Sequence, residues 1–209
     1  MQALKYWLAV AAMMIAPLAM AETVAPDVLV KTTANDVLEI IRKDKDIQSG
    51  DMKKITMLAE EKILPHFDFD AMSKSVLGKN WRDASKDQQT QFVAEFRTML
   101  VRTYASALAK YRNQTIDYKP FRAQPGEARV TVKTQILQPG GPALPVDYVL
   151  KQTGDAWKVV DINIEGVSLV TNYRGQFSNE LKQTDMNGLI QRIADKNKGS
   201  APTEAKKPS

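Results

Sequence analysis

An α+β fold is predicted from three observations. Helical periodicity fills the N-terminal half, apolar and polar residues alternate through the third that follows, and no strand–helix–strand repeat joins the two. Between a leader (1–21) and a tail (196–209), residues 22–195 give about 170 residues, enough for a single domain with a real core.

The leader reads as a secretory signal peptide. Lys5 supplies the positive start, Leu8 to Ala19 a short apolar run, and Ala19-Met20-Ala21 a small-x-small cleavage site. That run is shorter than the roughly 20 residues a membrane-spanning helix needs, and Pro17 interrupts its end. Cleavage after Ala21 is expected to release an exported protein that begins at Glu22.

Val28 to Lys45 carries Val30, Val37, Leu38, Ile40 and Ile41 and predicts a helix packed on one side. A second helix starts near Asp51, turns Ile55, Leu58, Ala59 and Ile63 inward, and ends at Leu64-Pro65. Asp68 is placed to cap a third, which stops at Gly78. The longest opens on Ser85-Lys86-Asp87-Gln88, a capping box, and continues to about Arg112. Phe92, Phe96, Met99 and Thr103 follow one line along it, and Val93, Leu100, Tyr104, Leu108 and Tyr111 a neighbouring one. This apolar surface is wider than one packing contact requires, so the helix is either buried between two layers or partly lines a cavity.

Strand signals begin near Thr115. Ala128, Val130, Val132, Thr134 and Ile136 alternate with Arg129, Thr131, Lys133 and Gln135, the period of a half-buried antiparallel strand. Gly140-Gly141 makes a turn, Val146, Tyr148 and Leu150 continue on the next strand, and Thr153-Gly154-Asp155 makes a second turn. In the last strand Trp157 and Val159 point to one face but Val160, Ile162 and Ile164 to the other, so either both sides are covered or a bulge switches the phase. After Gly166, helices are expected over 168–182 and 185–194. The tail, Lys196 to Ser209, is rich in Lys, Pro, Ser and Ala without apolar period and is predicted to be disordered and basic.

The inventory of reactive groups argues against an enzyme. The chain has no cysteine and one histidine, His66, which removes Cys-His nucleophiles and histidine-rich metal sites. No G-x-S-x-G elbow, P-loop or G-x-G-x-x-G is present. Asp161 and Glu165 form an imaginable carboxylate pair, but negative charge at the start of the following helix explains them more simply. The net charge of +5, of which the leader carries Lys5, either suits anionic headgroups or acidic partner surfaces or is a modest excess spread over solvated faces; an exported protein meets no nucleic acid.

Three blocks in order complete the reading: LG-x-x-W at 77–81, F-x-x-x-F-R-x-x-L-x-x-T-Y-x-x-x-L at 92–108, and D-x-x-x-E-G-V-S at 161–168. Together they resemble the MlaC family, periplasmic carriers that move phospholipids between the inner and outer membranes of Gram-negative bacteria and maintain outer-membrane asymmetry. The resemblance covers about Val28 to Ala194. It implies a curved antiparallel sheet of about four strands wrapped by six or seven helices in an NTF2-like arrangement, a monomer without cofactor or catalysis. It also implies two partners, an inner-membrane ABC transporter with an MCE-domain ring and an outer-membrane lipoprotein–porin complex.

Some thirty methylenes of two acyl chains exposed to water would cost on the order of 25 kcal/mol at about 0.8 per CH₂, so a carrier must enclose them. The cavity is expected at or beyond the upper end of the roughly 300–1,000 Å³ range of ligand pockets. Its candidate lining is Leu100, Tyr104 and Leu108 on the long helix, Val132, Ile136, Val146, Tyr148 and Leu150 on the strands, and Val167, Leu169 and Val170 after Gly166. Each would serve equally in an ordinary core. Arg97 and Arg174 are candidates for the headgroup or a partner. The competing function is a periplasmic chaperone or protein-binding module using the same groove.

Overall fold

The computed structural model describes residues 23–111, 113–124 and 126–199. Within them, helices α1 (Pro26–Lys43), α2 (Lys45–Ser49), α3 (Met52–Leu58), α4 (Phe69–Leu77), α5 (Lys79–Asp83) and α6 (Lys86–Ala109) precede the strands. Strands β1 (Thr115–Tyr118), β2 (Arg129–Leu137), β3 (Leu144–Thr153), β4 (Ala156–Ile164) and β5 (Val167–Ser168) follow, and α7 (Leu169–Glu180) and α8 (Met186–Gly199) close the chain. The strands form one antiparallel sheet in sequence order. Among the described residues, no helix is long and apolar enough to cross a membrane.

Local chemistry sets most boundaries. Asp68 accepts the Ala71 amide at 2.8 Å and starts α4. The capping box of α6 is reciprocal: the Gln88 amide donates to Ser85 Oγ at 3.2 Å, and the Ser85 amide to Gln88 Oε1 at 2.9 Å. Asp44, which accepts the Asp46 and Ile47 amides, starts the short α2 that periodicity over so few residues does not reveal. The expected single helix from Asp51 to Pro65 is three pieces. After α3 the chain widens into a π turn over Ala59–Ile63 and tightens into a 3₁₀ turn over Leu64–His66. This carries the chain to the outer edge of β4, where Phe67 bridges to Val159 and the Asp68 amide donates to the Val159 carbonyl at 3.0 Å.

The phase change in β4 comes from a bulge. Val149 pairs with Asp161 but Leu150 with Val159, which leaves Val160 as the extra residue. Trp157, Val159, Ile162 and Ile164 therefore share a face with Leu150, Tyr148 and Val146. β5 is a two-residue return strand behind a turn in which Glu165 (φ 51) and Gly166 (φ 83) both take positive φ, as a tight hairpin of this hand requires.

Three clusters of buried side chains result. One is helical, from α4, α6, α7 and α8, centred on Phe92, Phe96, Tyr173 and Phe177; the Phe92 and Phe177 rings meet edge-on at 5.5 Å. A second joins α1, α2, α3 and the end of α6. The third sets Val30 of α1 against Val130, Val132, Leu150 and Val159 of the sheet. α6, 24 residues and about 36 Å long, runs through the first two.

The C-terminal boundary differs from expectation. α8 continues through Gly199, and Asn197 is buried, its Nδ2 donating to the Glu95 carbonyl at 3.0 Å and to Glu95 Oε2 at 2.7 Å. The body thus includes residues that composition assigns to the tail. The rest of the tail and the leader lie outside the described residues.

Candidate functional site: an apolar cavity under the first helix

α1 lies over one face of the sheet without filling the space beneath it. A cavity of about 270 Å³ remains. Its roof is one face of α1, namely Leu29, Val30, Thr33, Ala34, Val37 and Leu38. Its floor is one face of the sheet, with Ile116, Ile136, Tyr148, Val159 and Ile162. One wall is the end of α6, with Ala107, Leu108 and, just beyond it, Tyr111; the other is the π/3₁₀ connection, with Ile63, His66 and Phe67. Among the described residues, polar side chains reach it only from Thr33, His66, Tyr111 and Tyr148.

Each polar group has a distinct setting. The Tyr111 hydroxyl accepts from the Arg42 guanidinium at 3.2 Å and donates to the Gln114 carbonyl. Burial holds the His66 imidazole below its ordinary pKa, and the Lys158 cation adds to that, which favours the neutral ring. Lys158 itself donates to the Pro65 carbonyl at 2.6 Å and so fixes the turn that carries His66. Tyr148 is half-buried by its own surface because it borders the cavity, yet so much protein surrounds its hydroxyl that burial pushes the phenol up to about 12.

Leu108, Ile136 and Tyr148 are the sequence-predicted residues that border this space. The other eight sit elsewhere. Leu100 and Val170 are buried in the helical cluster, with Tyr104 packed against it. Val132 and Leu150 share the face of Tyr148, but the N-terminal half of α1 covers them through Val30. Val146 is buried beside Thr134, whose hydroxyl donates to the Val146 carbonyl at 2.6 Å. Val167 is half-buried in β5, and Leu169 is buried at the start of α7. The surplus apolar surface of α6 is thus mostly burial between two layers; only its last turn meets the cavity. Arg97 pairs at 3.7 Å with Glu60, and Arg174 donates to the Ser75 carbonyl at 2.7 Å, both on outer helix surfaces away from the cavity wall. The volume also departs from expectation: it lies below the usual range rather than at its top.

Sequence reasoning missed the α1 face and the 63–67 connection. The first was legible as a 29/30–33/34–37/38 helical stripe, but a stripe does not say what it faces. The second carried no signal, because a π turn breaks the 3.6 period. The Asp161–Glu165 question is settled by geometry. Asp161 is buried and accepts the Ser168 hydroxyl at 2.5 Å and the Val170 amide at 3.1 Å, and Ser168 Oγ in turn accepts the Thr171 amide at 3.0 Å. This is a two-residue cap for α7, while Glu165 stands exposed in the turn.

An antiparallel sheet roofed by an amphipathic helix over a half-open apolar pocket defines a binding protein for a hydrophobic small molecule. The chain belongs to the MlaC family, whose model ("MlaC protein") matches residues 31–195. Among solved structures, the phospholipid-binding protein from Ralstonia solanacearum in complex with a phospholipid matches with a TM-score of 0.78 and 37% identity, over 82% of this chain and 96% of that one. Toluene tolerance protein ttg2D of Pseudomonas putida is 26% identical over 168 residues, 80% of this chain and 78% of its own. The intermembrane phospholipid transport system binding protein MlaC of Haemophilus influenzae is 24% identical over 178 residues, 84% of this chain and 83% of its own.

Proposed function

We propose that this protein is a phospholipid-binding carrier of the MlaC type, working in the periplasm and shuttling glycerophospholipid between the outer and inner membranes. The observation that carries this reading is the half-open apolar pocket between α1, α6 and the sheet, in a chain of this family. Burying acyl chains there replaces one hydrocarbon environment by another, so loading and unloading need little net free energy. No catalytic step is required. In its present volume the cavity holds only part of a diacyl lipid, so loading is accompanied by movement of α1 away from the sheet. We further propose export by the 1–21 leader with cleavage after Ala21, and delivery to an MCE-domain transporter and a lipoprotein–porin complex at the two membranes; the family supports these partners.

Extraction of the purified protein followed by lipid mass spectrometry tests the reading. Copurifying phospholipid near one per protein is expected. Protein that neither copurifies with phospholipid nor takes it up from vesicles would leave the chaperone alternative. Intact mass of the exported protein, starting at Glu22, checks the cleavage.

A further inference from the structure

The floor of the cavity holds one polar group that the protein itself does not answer. Tyr148 stands in the middle of β3, paired with Val132 and Ile162, and its side chain rises from the sheet into the cavity. Among the described residues, none hydrogen-bonds its hydroxyl. The neighbouring phenols are provided for. Tyr118 bonds Asn35 Oδ1 on α1 at 3.1 Å and lies under the Lys31 ammonium, 5.8 Å from its ring centre. Tyr111 is held between Arg42 and Gln114. Tyr118 and Tyr148 both pack against the cluster that joins the sheet to Val30 of α1, and after burial itself Tyr118 adds to the rise in the Tyr148 pKa. At about 12 that pKa keeps the phenol protonated, a donor throughout the physiological range.

The hydroxyl is reached from the cavity and has no acceptor in the protein, so a ligand that displaces solvent there either supplies an acceptor or leaves the donor unmet. Acyl chains carry no acceptor along their length. The ester carbonyls that join them to glycerol do, and they lie where hydrocarbon gives way to headgroup. We propose that the Tyr148 hydroxyl donates a hydrogen bond to an acyl-ester carbonyl of the bound glycerolipid, and so sets the depth at which the lipid sits. The inference rests on the phospholipid reading above. It gives the site a chemical preference: ester-linked lipids are favoured over ether-linked ones, whose oxygens are weaker acceptors.

Delipidated protein is offered vesicles containing equal amounts of diacyl and dialkyl phosphatidylethanolamine of the same chain length, and the bound lipid is read by native mass spectrometry. The parent protein is expected to favour the diacyl form about three- to tenfold, the range of one net hydrogen bond. Tyr148→Phe, which keeps the ring and its packing, is expected to bind the two forms equally with an unchanged or higher melting temperature. An unaltered ratio in Tyr148→Phe, or no preference in the parent protein, overturns the inference and leaves the carrier reading standing. Uptake of neither lipid by the parent overturns both.

Discussion

At the scale of single residues, Asp161 shows how a buried carboxylate serves structure instead of chemistry. It accepts from the Ile162 amide at 2.8 Å as well as from Ser168 and Val170, so its charge is met by three donors and α7 is tied to the bulged end of β4. Asp161→Ala strands those donors and is expected to lower stability by about 2–3 kcal/mol, with Ser168→Ala losing about 1. Urea midpoints at constant slope measure both. His66 works in the opposite electrostatic sense. Its folded-state pKa lies below the ordinary value, so on acidification the unfolded chain binds the proton first. The stability this residue contributes is full above the unfolded value of about 6.5 and is lost as pH falls from there through the lower, folded value. His66→Gln should therefore flatten part of the decline between neutral and mildly acid pH, as seen in urea midpoints across that range; an unchanged slope would place the acid sensitivity elsewhere.

At the scale of elements, α6 and α8 divide the labour. The first half of α6 anchors the helical cluster through Phe92 and Phe96, both fully buried, and its last turn closes the cavity through Leu108. α8 locks onto α6 through Asn197, and Arg192 and Lys196 approach Glu180 of α7 at 3.7 and 3.6 Å. Those pairs join exposed cations to a half-buried Glu180 beyond hydrogen-bond distance and contribute little, whereas the buried and hydrogen-bonded Asn197 amide contributes more. Truncation after Asp195 should lower stability by about 1–3 kcal/mol, while truncation after Gly199 should leave the melt unchanged. Equal melts for the two truncated forms would show that the Asn197 contact carries nothing.

At the scale of the molecule, the cavity exists because α1 touches the sheet at one end, through Val30, and α6 at the other, through Val37 and Ile41. A charge placed on the wall between these contacts meets hydrocarbon. Leu108→Glu is expected to cut copurifying phospholipid to below about a tenth, since an unpaired charge against acyl chains costs several kcal/mol. Val167→Glu, at a residue outside the wall, is expected to retain lipid at the parental ratio. Circular dichroism with lipid mass spectrometry on the same samples separates loss of the ligand from loss of the fold. Parallel behaviour of the two variants would mean that the cavity described is not the lipid site.

The sequence by itself determined the fold class, the caps at Asp68 and Ser85 and the strand β2, because capping and two-residue alternation are local physics that a few neighbouring residues decide. It also carried the ordered blocks that mark the family. It left open which apolar side chains face a void and which face one another, since Leu100 and Leu108 read alike on one helix. Only the tertiary structure separated them. Whether the surface of α6 meets α7 or an empty space depends on how α1 lies over the sheet, on the π turn that carries His66 and Phe67 to the edge of β4, and on the bulge at Val160 that brings Val159 and Ile162 to the same face. Those are long-range placements, and hydrophobic burial, being non-directional, does not encode them in any one segment.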